Sequence, residues 1–188
     1  MRSMLISFLA LLGLVASFGT ASADATAQFA AGGFRGPDEP NVNGFRFALL
    51  YGENDRMSGF DMGIFSMNES DELSGMALIF GLHRLTGDMD GGAAFSLVNL
   101  HDGNDTGFNA AFVNKVNNAE GAVDLGFVNI ADGTTLVDIG GLNLAKKTTA
   151  QFGFVNIATE LKGFQLGFIN IAENGFLPVF PFFNFPTK

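Results

Sequence analysis

Cysteine is absent from the 188 residues, tryptophan is absent too, and tyrosine occurs once. Without a thiol there are no disulfides. An exported form must therefore draw its stability from packing and backbone pairing. Charged residues make up only 15% of the chain, yet apolar residues reach 47%, enough to build one packed domain rather than a disordered chain. Catalytic signatures are missing as well: no G-x-S-x-G, H-E-x-x-H, P-loop or G-x-G-x-x-G pattern occurs. No window after residue 23 sustains helical periodicity.

Residues 1–23 read as a secretory signal. Arg2 supplies the positive charge, Met4 to Val15 an apolar run, and Ala21-Ser22-Ala23 the small-x-small cleavage pattern. The run is shorter than the roughly 20 residues of a membrane span, which favours cleavage after Ala23. No Cys follows it, which excludes a lipid-anchored lipoprotein. Removing 1–23 leaves nine basic against 19 acidic residues, a charge of −10. That charge argues against nucleic acid and anionic lipid headgroups as partners.

Glycine (25) and phenylalanine (22) are abundant, and they recur in register. Leu125-Gly-Phe-Val-Asn-Ile-Ala131, Ile139-Gly-Gly-Leu-Asn-Leu-Ala145, Phe152-Gly-Phe-Val-Asn-Ile-Ala158 and Leu166-Gly-Phe-Ile-Asn-Ile-Ala172 are copies of one unit. The asparagines stand at 99, 114, 129, 143, 156 and 170, at intervals of 15, 15, 14, 13 and 14 residues. Degenerate copies extend the pattern over 44–185, about ten units. Each unit is strand-like, rich in Phe, Val and Ile, and bounded by Asp/Asn/Gly turns.

Two all-β folds fit. In a tandem-repeat β-solenoid of about ten short coils, like residues stack at about 4.8 Å: Asn as a hydrogen-bonded ladder, Phe as a column, Gly where the backbone needs close approach or positive φ. In an up-and-down barrel of about ten strands, antiparallel neighbours give no reason to keep Asn in register, and the aromatic girdles of a membrane barrel are missing. The solenoid is favoured. Around the repeat domain (44–174), residues 24–43 read as an N-terminal cap with a strand over 27–34, and 175–188 as a Phe/Pro-rich cap whose rings plug the core.

Gln151-Phe-Gly-Phe-Val-Asn-Ile-Ala158 and Gln165-Leu-Gly-Phe-Ile-Asn-Ile-Ala172 partly resemble curlin repeats, although most units lack the Gln and Asp124 and Asp138 stand at its place. The chain more closely resembles bacterial surface-repeat proteins with tandem G-h-Q-h-G-h-h-N-h-A units. Through Leu50-Tyr-Gly-Glu-Asn54, His101-Asp-Gly-Asn-Asp-Thr-Gly107 and Glu173-Asn-Gly-Phe-Leu-Pro178 it is similar to a small family of uncharacterised exported proteobacterial proteins. Members of that family sometimes carry the label polyhydroxyalkanoate synthase. Such synthases need a Cys nucleophile, which this chain lacks. The resemblance implies export and repeat architecture, and no activity.

Among chemistry-bearing residues, His83 and His101 each stand beside an expected turn and read as solvated. A pair of His101 with Asp102 or Asp105 would still lack a nucleophile. Asp88-Met-Asp90 and Asp102-Gly-Asn104-Asp105 offer oxygen ligands, but the twelfth position from Asp88 is Asn99, not the Glu of an EF-hand. They read as ordinary turns. No acid occupies an evident apolar pocket. Asn68-Glu-Ser70 and Asn104-Asp-Thr106 are glycosylation sequons, relevant only in a eukaryotic source. The expectation is an exported structural or interaction protein without catalytic, metal or cofactor residues, in the periplasm, at the cell surface or at the outer membrane. Its partner would be a protein, the cell surface, the outer membrane or another copy of itself. A small outer-membrane barrel, acting as channel or anchor, is the alternative.

Overall fold

The computed structural model describes residues 24–187; the expected export segment lies outside them. Six strand segments form one sheet in the order β2-β1-β3-β4-β5-β6: β1 (Asp24–Ala31), β2 (Phe34–Gly36), β3 (Asn41–Leu85), β4 (Ala93–Asp105), β5 (Phe108–Ala172) and β6 (Val179–Asn184). β3 and β5 run for 45 and 65 residues, far beyond an ordinary strand. They wind through successive coils, so Asn114 and Asn129, both in β5, hydrogen-bond to each other.

Neighbouring coils are parallel wherever β1 meets β3, β3 meets β4 and β4 meets β5. The fold is an all-β solenoid, and the barrel alternative falls because its neighbours would be antiparallel. Like residues lie over like: Val98 pairs with Val113, and Asn99 with Asn114.

The coil shortens along the chain. Asp24 pairs with Asn41 and Met76 with Ala93, 17 residues on. Ala93 pairs with Phe108, 15 on, and Asn143 reaches Asn156, 13 on. The interior follows this taper. One inward position passes from Ala25 to Val42, and further along from Leu73 through Met89 and Asp105 to Ala119. Bulky Met57, Leu73, Ile79, Leu85 and Met89 fill the wide half, while Val116, Ala119, Ala122, Ala131 and Ala145 line the narrow one. Side-chain volume and coil circumference match, as close packing requires.

Only the ends are antiparallel. β1 stops at Ala31, not near Phe34, because Gly32 and Gly33 take φ of 57° and 95° and reverse the chain. β2 then pairs back on β1. At the other end β6 folds back on β5. The expected plug of Phe rings is corrected here. Phe176, Phe182, Phe183 and Phe185 are exposed, and Asn184 is the buried residue. Its Oδ1 accepts the Phe176 and Phe185 N–H groups, and its Nδ2 donates to the Leu177 carbonyl. An amide can satisfy the unpaired backbone of a solenoid end; a phenyl ring cannot.

Candidate functional site

The interior is built around polar ladders. Asn99, Asn114, Asn129, Asn143, Asn156 and Asn170 are all buried. Each Nδ2 donates to the Oδ1 of the next at 2.8–2.9 Å. From Asn114 onward the second hydrogen goes to a carbonyl of the following coil (Leu125, Ile139, Phe152, Leu166, Phe180) at 3.0–3.2 Å. Both amide hydrogens are thus used, so burial carries no penalty for an orphaned donor. The glycine three residues earlier makes room. A Cβ on Gly126 would stand 2.8 Å from both Asn114 Nδ2 and Asn129 Oδ1, and one on Gly153 would stand 2.6 Å from Asn143 Nδ2. At the corresponding place before Asn99 stands Ser96, whose hydroxyl donates to Asn99 Oδ1 at 2.7 Å.

A second polar column runs beside the first. Gln165 Nε2 donates to Gln151 Oε1 at 2.8 Å, and Gln151 Nε2 to Asp138 Oδ2 at 3.0 Å. The Thr135 and Thr148 hydroxyls also donate to that oxygen. One coil earlier, Asn109 Nδ2 donates to Asp124 Oδ1 at 2.9 Å. Asp124 Oδ2 and Asp138 Oδ1 are buried without a hydrogen-bond partner. Burial pushes Asp124 up to about 7 against the pull of its Asn109 hydrogen bond, with the charges of Asp138 and Asp105 adding to the rise. Asp138 is also raised by burial, and its bonds from Gln151, Thr135 and Thr148 oppose the rise. The expectation that no acid is so placed is corrected: the repeat itself turns both inward.

The histidines are corrected in the same way. His83 and His101 are 0% and 1% exposed, not solvated. His83 Nδ1 lies 3.2 Å from His101 Nε2, and His101 Nδ1 lies 2.6 Å from Asp105 Oδ2. Asp105 also accepts from Asn109 and from the Gly107 N–H. Burial first, then the charges of His101 and Arg46, hold His83 well below the ordinary 6.5. The signal was present in the repeat. His101 stands two residues after Asn99, the place filled by Ala131, Ala145, Ala158 and Ala172 after their asparagines, and all four are buried.

In the wide half a buried ion pair takes over. Arg46 meets Asp61 through Nη2 at 2.6 Å and Nε at 2.8 Å, and donates from Nη1 to Asn54 at 2.8 Å. Asn68 Nδ2 donates to both Asp61 oxygens, at 2.9 and 3.0 Å. That sequon asparagine is therefore a core residue.

The two acidic turns stack on one another but do not group their carboxylates. Asp105 points inward to His101, and Asp88 Oδ1 accepts the Asn104 N–H at 2.8 Å. Asp102 accepts from Asn117 at 2.7 Å and lies 3.5 Å from Arg84, while Asp90 is exposed. Among the described residues, no three His, Cys, Asp or Glu side chains are grouped to hold a metal.

The exterior has two unlike sides. After each asparagine comes a charged arc, with Arg56–Glu72, Asp132–Lys146 and Lys147–Glu160 pairs at 2.5–2.8 Å. Before each asparagine the outward positions are apolar. Phe65, Phe80, Leu97, Phe112 and Phe127 succeed one another, Gly141 interrupts the row, and Phe154, Phe168 and Phe182 resume it, all eight side chains exposed. Phe112 stacks on Phe127 at 5.2 Å and Phe154 on Phe168 at 5.9 Å. Beside this ridge lies a shallow groove of about 480 Å³, floored by Gly140, Gly153 and Gly167 and bordered by Phe154, Phe168 and Phe182. The amide ladders share the interior with the apolar clusters, while Phe side chains line the outer strip.

Comparison with protein-family models, curated proteins and solved structures found no match.

Proposed function

We propose that this is an exported structural or interaction protein, acting without catalysis, that presents the apolar side of its repeat to a partner. One observation carries the reading: a strip of exposed Phe and Leu side chains runs from Phe65 to Phe182, interrupted at Gly141. Soluble monomers rarely expose contiguous apolar patches larger than a few hundred Å², and larger patches mark interaction surfaces. The ordered ladders beneath supply a rigid backing, so little conformational entropy is lost on binding. The sealed His101–Asp105 pair supports the non-catalytic reading, because neither residue is open to a substrate. The exported address rests on Arg2, the apolar run and Ala21-Ser22-Ala23. It places the protein in the periplasm, at the cell surface or at the outer membrane.

Photo-crosslinking in the producing cell tests this directly. A benzoylphenylalanine at position 154, on the strip, is expected to yield discrete high-mass adducts. The same probe at Lys146, on the charged arc, is expected to yield none. Equal labelling at both positions, or none at 154, would remove the proposal.

A further inference from the structure

We infer that the apolar strip is occupied by a second copy of this chain, in a closed side-by-side pair whose twofold axis runs along the solenoid. The inference rests on the interaction-surface reading above and names the partner.

Three features favour a second copy. The first is shape. The Phe ridge (Phe154, Phe168, Phe182) and the glycine-floored groove (Gly140, Gly153, Gly167) lie next to each other, one ring and one glycine from each coil. Rotation by half a turn about an axis parallel to the solenoid exchanges ridge and groove. Each copy then inserts its ridge into the other's groove, coil matched to coil, in an isologous contact that closes on itself. The second is area. Phe112, Phe127, Phe154, Phe168 and Phe182 are 59–69% exposed, which for rings of this size leaves on the order of 600 Å² open. Exposed Leu125, Ile139, Leu166 and Ile169 flank them. Together they approach the roughly 800 Å² per partner of a stable interface. The third is charge. Lys146, Lys147, Asp132 and Glu160 pair on the other arc, so the strip brings no like charges together although each copy expected after cleavage carries −10. An anionic lipid surface would meet that charge as repulsion.

The ends point the same way. Stacking coil on coil would make open fibres, but β2 is three residues long and β6 carries Pro181 within it. Short and proline-bearing edges resist strand addition. Association is left to the flank.

Sedimentation equilibrium of residues 24–188 at micromolar concentration is expected to give twice the monomer mass. The F127S/F154S/F168S variant, checked for retained β circular dichroism, is expected to halve it. Because the chain has no cysteine, a second measurement is available that keeps the strip nearly intact. Phe154 lies close to the inferred axis, so Phe154→Cys should oxidise to a disulfide-linked dimer, whereas Thr149→Cys, on the charged side, should not. A monomeric wild-type chain, a dimer that survives the triple substitution, or an open-ended polymer overturns the pair. Flotation of wild-type monomer with phosphatidylcholine vesicles would overturn the pair in favour of lipid while leaving the interaction surface standing. Unchanged mass together with no adduct at position 154 in cells would remove both.

Discussion

Asp124 and His83 set opposite pH limits on the fold. The folded state keeps the Asp124 proton up to about pH 7, whereas the unfolded chain releases it near 3.8. Between those values the unfolded chain binds fewer protons, so stability falls as pH rises from about 4 to about 7 and stays low above. His83 is held neutral, while the unfolded chain protonates it near 6.5, so its contribution is lost as pH falls below that value. Asp124→Asn keeps the oxygen that accepts from Asn109 and removes the charge that burial disfavours. Its gain should grow from pH 5 to pH 8, to a ceiling of about 4 kcal/mol, read from urea midpoints at the two values. Arg46→Met should act in the other direction. Leaving a buried carboxylate without its cation costs about 3–5 kcal/mol, and the double variant Arg46→Met/Asp61→Leu should recover most of that.

At the scale of one coil, the repeating unit is a glycine and an asparagine three residues apart. Gly153→Ala puts a methyl 2.5 Å from the Gly140 carbonyl oxygen, 2.6 Å from Asn143 Nδ2 and 2.9 Å from Asn156 Oδ1. The backbone has little freedom to yield, so we expect a loss of about 1–3 kcal/mol in chemical denaturation. The same substitution at Gly91, which has open space around it, carries only the penalty of its φ of 63°. The Asn register was readable from the sequence because only parallel stacking lets one amide serve the next, so the spacing of 99, 114 and 129 carried the fold. The facing of the other residues was harder to read. Around Gly153 the alternation breaks: Phe154 is exposed and Val155 half-buried before Asn156 turns inward, because the chain bends there. A strict period of two therefore fails within each unit. The burial of His83 and His101 was hard to read for a related reason. Residue type suggested solvent, whereas position in the unit placed them in the core.

For the molecule as a whole, the caps decide between a discrete particle and a fibre. Removing 175–188 uncovers the last coil, where Gln165 to Ile171 now pair with β6. The shortened chain should join end to end in pairs through this coil, since β2 still caps the other end, whereas the intact chain should not. Negative-stain images of both at equal concentration check this, and equal behaviour would show that the caps do not limit growth. The taper adds a second constraint. Wide coils filled by Met57, Leu73 and Met89 cannot be exchanged with narrow ones lined by Ala131 and Ala145 without a cavity or a clash. The units are thus similar in sequence but not interchangeable in position.

Over the last coils, from Asp138 to Gln165, the two amide columns run in opposite directions. Every asparagine from 99 to 156 donates toward the C-terminal end, while Gln165 and Gln151 donate toward the N-terminal end. Aligned amides sum their dipoles along an axis, as peptide units do in a helix. Over the coils they share, these counter-running rows offset each other, so the rod's polarity is muted there. Nearer the N-terminal end Asn99 and Asn114 run unopposed and Asn109 donates in the same sense, so the rod's dipole is concentrated in its middle coils, away from the C-terminal cap.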